Sequence, residues 1–156
     1  MLAPAFTSRS RNSQIVVASG TRLATIQGSA RSILTAERVA LNFLPHLSGV
    51  ATLTRRYVKE LQDTGCKLLD TRKTTPGMRA LEKAAVKAGG GSNHRMGLFD
   101  AILIKENHIL SAGNIRTAVE EARFHSPGFP VEIEVENLDQ LQEAIDAGVD
   151  RVLLDN

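Results

Sequence analysis

The chain has 156 residues, 42% of them hydrophobic, 23% charged and 4% aromatic, with a formal net charge of +2. This composition belongs to an ordinary globular domain and excludes collagen-like, disordered and disulfide-scaffold classes. No apolar run approaches the ~20 residues of a membrane-spanning helix, and the single cysteine, Cys66, cannot close an internal disulfide. Both features fit a cytoplasmic protein in a reducing compartment.

Charge is unevenly placed. Residues 1–36 hold four arginines (Arg9, Arg11, Arg22, Arg31) and no acid, so the rest of the chain is slightly acidic. Such a body lacks the basic surface of a nucleic-acid binder, and any polyanion it binds must be held by a local cluster. Residues 1–13, MLAPAFTSRSRNS, have the Arg- and Ser-rich character of organelle transit segments without the apolar core of a secretory signal. The reading preferred here is a frayed or truncated terminus.

From Gln14 to Ser32 the pattern predicts strand and turn, punctuated by Gly20 and Gly28. Thr35 reads as a helix N-cap with Glu37 in the first turn, and Val39, Leu41, Phe43, Leu44 and Leu47 surround a mostly buried helix. Pro45 predicts a kink or an end, followed by a second helix from about Val50 to Leu61.

After Gly65 short apolar runs alternate with helical patterns. Strands are predicted at 66–70 (CKLLD), 101–104 (AILI), 131–135 (VEIEV) and 151–154 (RVLL), with helices near 78–88, 114–124 and 138–147. This order predicts a parallel sheet with helical crossovers. A complete (β/α) barrel has eight strands in ~250 residues. Four parallel strands would leave an unpaired edge, so the pattern favours a fragment of a barrel.

In parallel α/β folds, ligands gather at the carboxyl ends of the strands. Here those ends carry Asp70-Thr71-Arg72-Lys73, then Lys105-Glu106-Asn107-His108, then Glu134 and Glu136, and finally Asp155-Asn156. A glycine-rich loop, GGGSNHRMG, delivers His94 and Arg95. Arg72, Lys73, Arg95 and Lys105 suit a ligand with several negative charges. Glu134 and Asp155 suit a divalent metal or a developing positive charge. Glu132, Glu134 and Glu136 share one strand face, so cations or metal should lie opposite some of them.

Plainer roles compete. Asp70 beside Arg72 reads as a strand-end ion pair, His108 as a turn residue bonding backbone, His46 and His125 as structural, and Arg55 and Arg56 as a solvated helix face.

The segments LTAERVALNFLPHLSGVAT (34–52), DTRKTTPG (70–77), GGGSNHRMGLFDAILIKENHI (89–109) and LLDN (153–156) closely resemble the quinolinate phosphoribosyltransferases. The likeness runs from about residue 20 to 156. It implies an N-terminal α/β sandwich followed by an incomplete (β/α) barrel of seven strands. Residues 14–64 would be a remnant of the sandwich, residues 65–156 the first part of the barrel with about four strands, and residues 1–13 would lie outside.

The implied reaction is phosphoribosyl transfer from phosphoribosyl pyrophosphate to quinolinate with decarboxylation, dependent on Mg²⁺, in de novo NAD biosynthesis. By position, Arg72, His94, Arg95 and Lys105 match the cationic pocket for the quinolinate carboxylates, with Lys73 at its edge. Glu134 and Asp155 match the acidic residues near ribose and metal. Arg38 matches an arginine that enters the neighbouring subunit's pocket, so a homodimer or higher homo-oligomer is implied. Two alternatives stand beside this reading: an inactive truncated relative, and a different (β/α) enzyme with Lys105 as a Schiff-base lysine.

Overall fold

The computed structural model describes residues 16–155. Of these, residues 16–94 and residues 95–155 form two compact units.

The first unit is built on α1 (Ala30–Glu60) and α2 (Arg79–Ala88), which pack together. Helix α1 starts earlier than the sequence suggests, because Ser29 takes the N-cap: its side chain accepts from the Ser32 amide at 3.2 Å. Thr35 lies inside the helix, its hydroxyl donating to the Arg31 carbonyl at 2.8 Å, and Glu37 falls beyond the first turn. The helix also runs through Pro45 as one element, so the predicted division into two helices is not observed. A proline withholds one ladder bond, and α1 continues through that gap.

Residues 16–29 contain no strand. They hold a turn in which the Thr21 amide donates to the Ala18 carbonyl (3.2 Å) around Gly20 at φ +81°. Residues 14 and 15, like residues 1–13, lie outside the described residues. The strand predicted at 66–70 shrinks to a single parallel bridge between Leu69 and Ser92.

The glycine-rich segment has a packing role. A Cβ on Gly89 would lie 2.4 Å from the Ala51 carbonyl oxygen and 2.6 Å from Thr54 Cβ, and one on Gly91 would meet Val86 and Thr54. The backbone at 89–91 therefore comes as close as it can to α1.

The second unit is a three-stranded parallel sheet in the order β1 (Ile102–Ile104), β2 (Val131–Val135), β3 (Arg151–Leu154). Helices α3 (Glu106–Ala112) and α4 (Ile115–His125) connect β1 to β2, and α5 (Leu138–Asp146) connects β2 to β3. Asn114 and Asn137 cap α4 and α5 by accepting from the Thr117 and Gln140 amides. The core joins Ile104, Val131, Ile133 and Val135 of the strands to Ile115, Ala118, Val119 and Ala144 of the helices. Among the described residues three strands form where about four were expected, and α3 is an additional helix. No helix among the described residues is long and apolar enough to cross a membrane.

Candidate functional site

In the first unit the Leu69–Ser92 bridge lays the segment carrying Arg72 and Lys73 beside the one carrying Asn93 and His94. The Asp70 amide donates to the Ser92 carbonyl at 3.1 Å, and the Ser92 amide to the Leu68 carbonyl at 2.8 Å. The Asp70 side chain does not pair with Arg72 as expected. One carboxylate oxygen accepts from Lys83 Nζ and from the His94 amide (2.8 Å), and the other from Asn93 Nδ2 (2.6 Å). Lys83 is the reason: only 2% exposed, it carries a charge that must be matched inside the fold.

Arg72 is half-buried, and its Nε is buried without a hydrogen-bond partner. Its carbonyl accepts from Arg79 Nη2 at 3.4 Å. Lys73 is exposed and His94 half-buried. Glu82 ties the same loop to α1: one oxygen accepts from the Thr75 amide (3.2 Å), the other meets His46 Nε2 (2.9 Å). Hydrogen bonds from Thr75 first and His46 second hold the Glu82 carboxyl below its ordinary range. His46 thus has a structural partner. Arg38 is exposed on α1, next to exposed Leu34, Val39 and Leu41. Arg56 is exposed as expected, but Arg55 is half-buried with an unpartnered Nε, which departs from a solvated face.

In the second unit Arg95 Nη1 donates to the Ala101 carbonyl at 3.2 Å, and Asp100 folds the intervening loop by accepting from the Met96 and Gly97 amides. The ends of β1, β2 and β3 bring Lys105, Glu134 and Asp155 into one cleft of about 310 Å³, which Glu136 and Gln140 also line. Lys105 Nζ is ion-paired with Glu134 Oε2, and Lys105 is 48% exposed. The buried Glu132 on the same strand face pairs with Arg151. Cations therefore face two of the three alternating glutamates, while Glu136 is exposed beyond the end of β2. Asp155 extends the β3 ladder, its amide donating to the Val135 carbonyl at 2.9 Å. His108 serves the backbone, Nδ1 accepting from the Lys105 amide at 2.9 Å. His125 stands edge-on to Phe124, away from the cleft lining.

Sequence reasoning missed Lys83 and Asn93. The available signal was the stripe Arg79–Lys83–Val86 on α2, whose i, i+4, i+7 spacing turns a lysine inward with a valine.

Charged groups collected at the carboxyl ends of parallel strands define an α/β protein of the class that binds small ligands at that edge. The family follows from comparison. Residues 50–156 match the quinolinate phosphoribosyl transferase C-terminal domain, and residues 8–48 match the N-terminal domain of the same family. The chain belongs to the quinolinate phosphoribosyl transferase family.

A probable carboxylating nicotinate-nucleotide pyrophosphorylase of Synechocystis sp. is 51% identical over 142 residues, covering 90% of this chain and 48% of the relative. A Bacillus subtilis protein of the same description is 51% identical over 139 residues, covering 88% and 48%. Among solved structures, the nicotinate-nucleotide pyrophosphorylase of Francisella tularensis superposes with a TM-score of 0.91 at 52% identity, covering 98% of this chain and 54% of that one. NadC from Streptococcus pyogenes gives 0.90 at 48% identity, with 98% and 54% covered. The chain spans about half the length of the relatives it matches.

Proposed function

We propose that the chain carries the quinolinate-binding half of a carboxylating nicotinate-nucleotide pyrophosphorylase. In this reading β1–β3 are part of a (β/α) barrel that follows the remnant of an α/β sandwich. The observation that carries the proposal is the strand-end cleft joining Lys105, Glu134 and Asp155 in a chain with these relatives.

Quinolinate is a pyridine dicarboxylate, and its two desolvated carboxylates need paired cations. The family likeness assigns Arg72, Lys73, His94, Arg95 and Lys105 to that role; of these, Lys105 lines the strand-end cleft. Glu134 and Asp155, which line the same cleft, would supply the one or two carboxylates Mg²⁺ takes, with water and phosphate oxygens completing its shell; no group of three His, Cys, Asp or Glu side chains able to hold a metal occurs among the described residues. Bound there, the ion would neutralise the leaving pyrophosphate.

As the ribose–pyrophosphate bond breaks, positive charge grows on the ribose carbon, and a carboxylate of the cleft stabilises it. The pyridine nitrogen donates its lone pair to that carbon, forming the new bond and leaving the ring cationic. The carbon–carbon bond to the adjacent carboxylate then breaks. Its electron pair stays on the ring carbon beside the positive nitrogen, carbon dioxide departs, and the ring carbon takes up a proton. Nicotinate mononucleotide is the product.

Arg38, exposed among apolar residues of α1, is assigned to a neighbouring subunit's pocket, and the protein to the cytoplasm without nucleic-acid or membrane partners. A Schiff-base role for Lys105 is disfavoured, because that chemistry uses a free amine in an apolar pocket and Lys105 is an exposed partner of Glu134.

The test supplies the purified chain with carboxyl-labelled quinolinate, phosphoribosyl pyrophosphate and Mg²⁺. Labelled carbon dioxide above the level without phosphoribosyl pyrophosphate supports the reading. Quinolinate binding without release assigns the chain to the inactive alternative, and absence of binding overturns the proposal.

A further inference from the structure

Lys83 and Asp70 form a buried ion pair, with side chains 2% and 6% exposed, that no step of the reaction uses. Burying two charges is costly, and neutral residues of similar volume often serve stability as well or better. What this pair does beyond packing is visible at one residue. The Asp70 carboxylate accepts the His94 N–H at 2.8 Å, and the Lys83 ammonium donates to the His94 carbonyl at 3.0 Å. Opposite charges thus hold the donor and the acceptor of the same residue. Asn93 closes the clamp, its Nδ2 donating to Asp70 and to the Lys83 carbonyl.

Fixing both backbone groups of a residue fixes the direction of its Cα–Cβ bond. His94 lies beyond Gly89–Gly91, which pack against the helices, and beyond the single bridge at Ser92, where the parallel pairing ends. An ionic clamp at this point sets a definite root for the imidazole.

We propose that Asp70 and Lys83, with Asn93, are positioning residues that aim His94. The clamp rests on the geometry; its effect on ligand affinity rests on the reading of His94 as part of the dicarboxylate pocket.

The experiment compares the full wild-type chain with Asp70→Asn/Lys83→Met, which removes both charges together and so strands neither in the interior. Amide exchange and imidazole NMR shifts of His94 are followed against the β2 amides. Affinity for pyridine-2,3-dicarboxylate is measured across about pH 5 to 8, where histidine titrates. The expected result is core protection as in wild type, His94 amide protection lower by on the order of 10-fold, affinity weaker by a similar factor, and a flattened pH profile.

Unchanged His94 exchange and ring shifts in the folded variant overturn the clamp, and loosened exchange with wild-type affinity and pH profile overturns its role in binding. If the wild type does not bind the dicarboxylate, the functional reading falls, while exchange and ring shifts still decide the clamp. If the double variant does not fold, Asn93→Ala alters an exposed residue and carries the same test: His94 protection falls, or the proposal does.

Discussion

Gly89→Ala isolates the contact that binds the glycine-rich segment to α1. Gly89 has φ −76° and ψ −7°, values that alanine adopts without strain. On the unfolded-state side the substitution therefore stabilises, by about 0.4–1 kcal/mol, because the free chain loses conformations. The folded state opposes it. The new methyl would sit 2.4 Å from the Ala51 carbonyl oxygen and 2.6 Å from Thr54 Cβ, atoms of the helix itself that no rotamer change can move. Helices α1 and α2 must separate, and overpacking of this kind costs about 1–3 kcal/mol.

The cost exceeds the gain, and the expected net destabilisation is about 1–2 kcal/mol, or roughly 2–4 °C in Tm for each kcal/mol at this chain length. Urea unfolding should show a lower midpoint at an unchanged slope. Gly28→Ala, where a Cβ meets nothing within 4 Å, is the control and should leave the midpoint unchanged or slightly raised. A Gly89→Ala protein as stable as wild type would refute the steric argument.

Three further outcomes follow from the same structure. The Glu82 carboxyl is held below its ordinary range near about 4.3, so its contribution to stability is present above that range and is lost as pH falls through the lowered value. Glu82→Gln should flatten the acid-side loss of stability, and an unchanged slope in pH-dependent melting would contradict the assignment. Ile133, fully buried at the centre of β2, should cost about 2–5 kcal/mol when changed to alanine, measured by chemical unfolding; a loss under 1 kcal/mol would mean that β2 is not the core of the sheet. For the shared-site arrangement, Arg38→Ala and Lys105→Met chains should each bind dicarboxylate poorly yet recover one intact site when mixed, by calorimetry. Failure to recover in a demonstrated mixed dimer counts against that arrangement.

The elements that sequence described best are those whose signal is local. VEIEV and RVLL appear as β2 and β3 with the bounds their apolar runs suggested, and the helix patterns near 114–124 and 138–147 lie within one residue of α4 and α5. Their period, caps and turn residues all point the same way. Local signals misled where two of them competed. Thr35 and Ser29 are both good caps, and only the observed ladder selects Ser29. CKLLD has the makeup of a strand, but a strand is defined by its neighbour, and this one finds a single bridging partner, Ser92.

The meeting of Lys105, Glu134 and Asp155 in one cleft was legible because strand ends in a parallel sheet converge by construction. The partner of Asp70 was not legible: Arg72 is two residues away in sequence, yet the ionic partner is Lys83, thirteen residues on and turned inward by α2. The glycine-rich loop read as the carrier of His94 and Arg95, and its packing on helices is a long-range contact that composition does not encode. Gly89 and Gly91 lie against α1 and α2.

The mutual pairing of Lys105 and Glu134 bears on selectivity. An anion arriving at that half-exposed ammonium either shares it with Glu134 through its remaining N–H donors or displaces that carboxylate, an exchange of like for like. Discrimination then falls to whatever negative charge the incomer carries elsewhere. Valence, more than shape, would decide what stays bound.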